Sequence, residues 1–132
     1  MKVTAGTNVL VRAITGDDAR QSAIAQAELA NAALVAIPLP ALCELVWVLS
    51  RGYRIQSPDI ATAIRRLIDA ATVSVNRPAV EAGLAVLEAG GDFADGVIAY
   101  EGNWLGAESF VSFDAKAVRL LAAQGLEVRL LT

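Results

Sequence analysis

Three carboxylates occupy places where they could do chemistry. Glu44 is the only charge between Pro38 and Ser50, among Leu42, Leu45, Val46, Trp47, Val48 and Leu49. In such a run it either lies on a solvated helix face or, if largely buried, needs a cation or hydrogen-bond donors. Asp95 closes the stretch Asp92-Phe93-Ala94-Asp95. With Asp92 as a helix N-cap, Asp95 takes the third helical position, where the helix dipole favours an acid in any case. Gly96 beside it is unexpected, because glycine inside a helix costs ~1 kcal/mol against alanine, and it suggests a close approach by another group. Asp114 follows the apolar run Phe110–Phe113 and opens a helical segment, so it suits both a cap and a site at a sheet edge.

The chemistry open to this chain is bounded by what it lacks. No histidine is present, which excludes Ser-His-Asp and Cys-His nucleophilic machinery. The single cysteine, Cys43, forms no intrachain disulfide and no cysteine/histidine zinc site, and its apolar surroundings read as those of a small buried hydrophobe. Carboxylates, hydroxyls, Arg/Lys or a hard metal ion remain. The net charge of −3 argues against broad electrostatic attachment to nucleic acid. A divalent cation could still supply positive charge locally at a phosphodiester.

The elements that must position these acids follow from periodicity. At 132 residues, 55% of them hydrophobic and 19% charged, the chain suits one domain with a real core. Aromatics are scarce, so Ala, Val, Leu and Ile must fill it. Strands are expected at Lys2–Ala5, Leu34–Ile37, Thr72–Val75, Phe110–Phe113 and Glu127–Leu131. Helices are expected at 8–14, from Asp17 or Asp18 to about 31, at 39–50, at 78–89, at about 93–105, and from Asp114 to 124 before Gly125. Gly52 suits a C-terminal cap of the 39–50 helix. Ser57-Pro58 suits a helix start with Ser as N-cap, followed by a buried stripe at Ile60, Ile64, Leu67 and Ile68. This alternation predicts an α/β fold, an α/β/α sandwich with a central parallel sheet, in one domain over residues 1–132. Ligands in such folds bind beyond the C-terminal strand ends, where the three acids fall.

Other charges have plainer readings. Asp17 and Asp18 read as helix caps, and Asp59 and Asp69 as solvated. Arg51, seven residues after Glu44, shares its face and could meet a phosphate, although a solvated end accounts for both Arg51 and Arg54. The apolar stretch from Ala32 to Leu49 is broken by Pro38, Pro40 and Glu44 and does not read as a membrane span. Thr4, Thr7, Asn8 and Arg12 interrupt any signal-peptide core, which leaves a cytoplasmic protein as the expectation.

Four segments together resemble PIN domains, specifically VapC-type ribonuclease toxins of toxin–antitoxin pairs. They are residues 1–12 (MKVTAGTNVLVR), 40–49 (PALCELVWVL), 92–99 (DFADGVIA) and 112–114 (SFD). They lie in order and span nearly the whole chain. The resemblance implies a PIN-like fold and a metal-dependent endoribonuclease. It implies Mg²⁺ or Mn²⁺ bound by acids at the positions of Glu44, Asp95 and Asp114, with Thr7 and Ser112 orienting ligands or water. It further implies an RNA substrate, a cognate antitoxin protein and a homodimer. Such an ion prefers oxygen ligands, activates water and offsets repulsion among clustered carboxylates, and none of this needs histidine.

One position departs from the family pattern. The motif carries an Asp before Thr-Asn, and here Gly6 stands in its place. Gly6 reads as a lost first metal ligand, hence as an inactivating or weakening substitution. The other reading is a genuine glycine turn in a non-catalytic relative that serves as an antitoxin-binding module. A phosphoacceptor receiver domain, similar in size and alternation, would need an acidic pair after the first strand and a lysine near the last, and neither is present.

Overall fold

Every strand is short, and every strand pairing is parallel. The structure, a computed structural model, describes all 132 residues. The chain is α/β, with seven α-helices, one π-helical turn and five strands. It divides into two compact units, Met1–Asn76 and Arg77–Thr132. No helix is long and apolar enough to cross a membrane.

In the first unit the strands β1 (Lys2–Thr4), β2 (Leu34–Ala36) and β3 (Val73–Ser74) form a parallel sheet in the order β1-β2-β3. The middle strand is apolar throughout, as a strand paired on both edges should be. Its Val35 pairs with Val3 on one side and Val73 on the other, and is 1% exposed. The crossover from β1 to β2 carries α1 (Thr7–Thr15) and α2 (Ala19–Asn31). The crossover from β2 to β3 carries α3 (Leu39–Trp47), the π turn Val48–Gly52 and α4 (Ser57–Asp69). The expected stripe of α4 is buried at Ile60, Ile64 and Ile68, while Leu67 is half-buried.

Two helix ends differ from expectation. The π turn widens the end of the 39–50 helix, so Tyr53 N–H bonds back to Val48 O at 3.2 Å. The reversal then falls at Arg54, whose φ of 54° is left-handed, and not at Gly52. At α4 the cap is Gln56, and Ser57 is already the first helical residue. Pro58 therefore sits second, still ahead of the positions whose N–H groups are needed for helix bonds.

In the second unit α5 (Arg77–Glu88) packs along α6 (Phe93–Trp104). The strands β4 (Phe110–Ser112) and β5 (Val128–Leu130) pair in parallel across α7 (Ala115–Ala123), which ends before Gly125 at φ 90°. Val86, Ala99 and Leu121 are buried together under Phe110, Leu120, Leu126 and Val128. The strands pair as two small sheets, of three and two strands. With two or three ladder residues each, they contribute few inter-strand bonds, and packed helices carry most of the burial.

Candidate functional site

In the first unit, chain direction places the strand end, a helix start and a neighbouring helix around one pocket. Gly6 follows β1 and is the N-cap of α1, with φ −77°, ψ 164° and no side-chain cap. This is extended backbone open to any residue. A Cβ built there would meet nothing nearer than Asn8 Oδ1 at 3.9 Å. Neither conformation nor space requires glycine at position 6.

Thr7, Asn8, Val11 and Arg12 of α1, Glu44 of α3, Val48 and Tyr53 line a pocket of about 490 Å³. Glu44 is exposed and not largely buried. Leu42, Leu45, Val46 and Leu49 take the inward side of α3 and its continuation, which leaves Glu44 and Trp47 outside. The sequence suggested too little polar surface for a solvated face, and the structure provides that face with three residues, Pro40, Glu44 and Trp47. Cys43 is half-buried, less enclosed than expected.

The pocket also contains a polar frame that the sequence reading missed. Arg12 Nη1 donates to Asp17 Oδ1 at 3.1 Å, to Asp17 Oδ2 at 3.3 Å and to Tyr53 Oη at 3.4 Å, and Arg12 Nε donates to Gln21 Oε1 at 2.7 Å. Tyr53 Oη donates to Asp17 Oδ2 at 2.5 Å, and Thr15 Oγ1 donates to Asp17 Oδ1 at 3.0 Å. Asp17 is therefore the acceptor hub of this frame. The helix cap is its neighbour Asp18, whose Oδ1 accepts from Gln21 N–H at 3.0 Å. The Tyr53 hydroxyl, with Thr15 and Arg12, holds the Asp17 carboxyl below its ordinary range, and Asp17 in turn holds the Arg12 guanidinium above its own. A sequence signal existed only for Arg12, which lies one helical turn after Asn8. Tyr53 is 36 residues from Asp17, and no local pattern joins them.

The second unit holds the other acids. Asp92 caps α6, accepting from Ala94 N–H at 3.2 Å. Asp114 caps α7 through Oδ1, which accepts from Lys116 N–H at 3.0 Å and Ala117 N–H at 3.1 Å. Ser112 Oγ accepts from the Asp114 N–H at 3.0 Å and fixes the turn from β4 into α7. The capping roles open in the sequence are thus real. They leave the second oxygen of Asp114 uncommitted. Burial, then the charges of Asp92 and Asp114, push the Asp95 carboxyl above its ordinary range.

Gly96 has a packing explanation. A Cβ there would run into the carbonyl of Ala82 and lie 2.8 Å from Gly83 Cα. The close approach foreseen at this residue is made by α5 and not by a ligand.

Asp95 and Asp114 are like charges that a cation would relieve, and in that respect they fit a metal. As the chain stands, however, no three acidic or cysteine side chains are grouped to hold a metal ion. Gly6 offers no side-chain ligand atom. Arg51 and Arg54 are exposed at the end of the π turn. Scans against models of protein families and against curated proteins give no match to this chain.

Proposed function

We propose that the chain is a PIN-like α/β/α protein of the VapC ribonuclease-toxin type, whose metal-dependent endoribonuclease activity is weakened or abolished at Gly6. The observation that carries this reading is the state of position 6. It lies at the C-terminal end of β1, beside Thr7 and the pocket that holds Glu44, in extended backbone with room for a side chain. A residue kept as glycine for a turn would show a positive φ or a close neighbour. Gly6 shows neither, which supports a missing carboxylate over a structural turn.

In this reading Glu44, Asp95 and Asp114 would hold Mg²⁺ or Mn²⁺, with Thr7 and Ser112 orienting ligands or water. When bound, the ion would activate water and stabilise charge on a phosphodiester. The half-buried Asp95 carboxyl, raised by burial and by the charges of Asp92 and Asp114, and the Asp114 oxygen not used in capping are compatible with such a role. The partners in this reading are an RNA substrate, a cognate antitoxin and a second copy of the chain, in the cytoplasm.

A second reading, a catalytically inactive homologue that only engages an antitoxin, is favoured by the lack of a side-chain ligand at Gly6. Gly6→Asp separates the two. An Asp at the N-cap of α1 also gives that helix an acceptor it lacks, so the variant should fold and gain a few tenths of a kcal/mol. Incubated with total RNA and Mn²⁺, Gly6→Asp is expected to cleave and the given chain to cleave little or nothing, with EDTA abolishing the difference. A folded Gly6→Asp protein that leaves RNA intact would eliminate the enzyme reading and leave the binding module.

A further inference from the structure

The Arg12–Asp17–Tyr53 frame does more than tie α1 to the segment after the π turn. The side-chain hydrogen bonds of Tyr53 run through its hydroxyl, to Asp17 Oδ2 at 2.5 Å and from Arg12 Nη1 at 3.4 Å, and the half-buried residue lines the pocket. The π turn is what delivers it there, since the widened turn carries Tyr53 to a bond with Val48 O. An aromatic ring pinned at its polar end loses little freedom when something stacks on it. Around it stand two apolar groups, Val11 and Val48, an amide, Asn8, a hydroxyl, Thr7, and a carboxylate, Glu44. A planar ring with polar edges and an attached sugar matches this set. Such a ring could lie on the tyrosine with its edge toward Asn8 and a ribose hydroxyl donating to Glu44.

We propose that this pocket seats one nucleotide of single-stranded RNA with its base stacked on Tyr53, and that Arg12 and Asp17 are positioning residues that fix the tyrosine. The inference rests on the ribonuclease reading for its choice of RNA, but its test does not depend on cleavage. Base–aromatic stacking is worth ~1–3 kcal/mol per base, so loss of the ring should weaken binding by roughly 5- to 150-fold.

The experiment titrates the given chain, in EDTA, against a fluorescently labelled single-stranded RNA oligonucleotide read by anisotropy. The same sequence in DNA tests the contribution of the 2′-hydroxyl. Tyr53→Leu should bind at least fivefold more weakly, Tyr53→Trp should restore binding, and Asp17→Asn should fall between the parent and Tyr53→Leu. Circular dichroism melts identify any variant that fails to fold; if Tyr53→Leu does, a folded Tyr53→Trp without RNA affinity overturns the proposal. Parent-like affinity in folded Tyr53→Leu, or no RNA binding by the parent, overturns the proposal. The ribonuclease reading is judged separately by Gly6→Asp. Cleavage there with an unchanged KM in the added Tyr53→Leu background sinks the stacking site alone. Tyr53-dependent binding without any Gly6→Asp cleavage sinks the enzyme alone.

Discussion

At the scale of single residues, the acids of this chain differ in what ionisation costs them. Asp95 is half-buried at the start of α6. Burial and the charges of Asp92 and Asp114 raise its pKa. Its native pKa lies above the unfolded value, so the folded chain holds more protons across the interval between the two. Stability therefore falls as pH rises through that interval and stays lower above it. Asp95→Asn removes this penalty. Urea unfolding in EDTA at stepped pH should show parent and variant diverging across the window, with the variant at least as stable at neutral pH. A variant clearly less stable at neutral pH would mean that Asp95 has a favourable partner, contrary to its surroundings. Asp17 behaves oppositely. Its lowered pKa means that what it contributes is present above the ordinary carboxylate range and is lost as pH falls through the native value.

Among the elements, the α5–α6 packing shows two glycines in one helix doing different things. At Gly96 an added methyl meets the Ala82 carbonyl and the Gly83 backbone, neither of which can move without shifting α5. Because the clash is with backbone, the overpacking cost falls at the upper end of its usual range, about 2–3 kcal/mol, and outweighs the helix-propensity gain of about 1 kcal/mol. Gly102, in the same helix, has nothing within 4 Å of such a methyl. Thermal melts should place Gly96→Ala below the parent by about 1–2 kcal/mol and Gly102→Ala above it by up to about 1 kcal/mol. Equal shifts for both would show that the two helices are not in this close contact. The sequence exposed the anomaly at Gly96 but not its cause, because Ala82 and Gly83 belong to another helix and their register is set by packing. Caps were more legible. Asp92, Asp18 and Asp114 act within three residues of themselves, and each was readable from residue type and position. The π turn was not, since it changes the hydrogen-bond step without changing the apolar pattern, and it carried Tyr53 and Arg54 to places no helix of ordinary pitch would give them.

For the whole molecule, the order of strands and helices and the parallel sense of every pairing were legible, because both follow from alternating apolar runs joined by helical crossovers. The division into a three-strand and a two-strand sheet was not, because strand length at this scale is decided by a residue or two at each end. The metal question also belongs here, since ligand binding to the native state adds to the stability of the chain as a whole. A cation at ten times its Kd would contribute about 1.4 kcal/mol, a rise in Tm of several degrees for a protein of this size. The given chain groups no three acids for an ion, so millimolar Mg²⁺ should leave its Tm within about 1 °C of that in EDTA. Gly6→Asp should acquire a Mg²⁺-dependent rise of about 3–6 °C that Glu44→Gln reduces. Cleavage need not be measured for this comparison to be informative. If the given chain already shows the full rise, its acids assemble around an ion without the first carboxylate, and Gly6 is not what limits the site. If Gly6→Asp shows no rise even at high Mg²⁺, the pocket beside Thr7 is not where a metal enters.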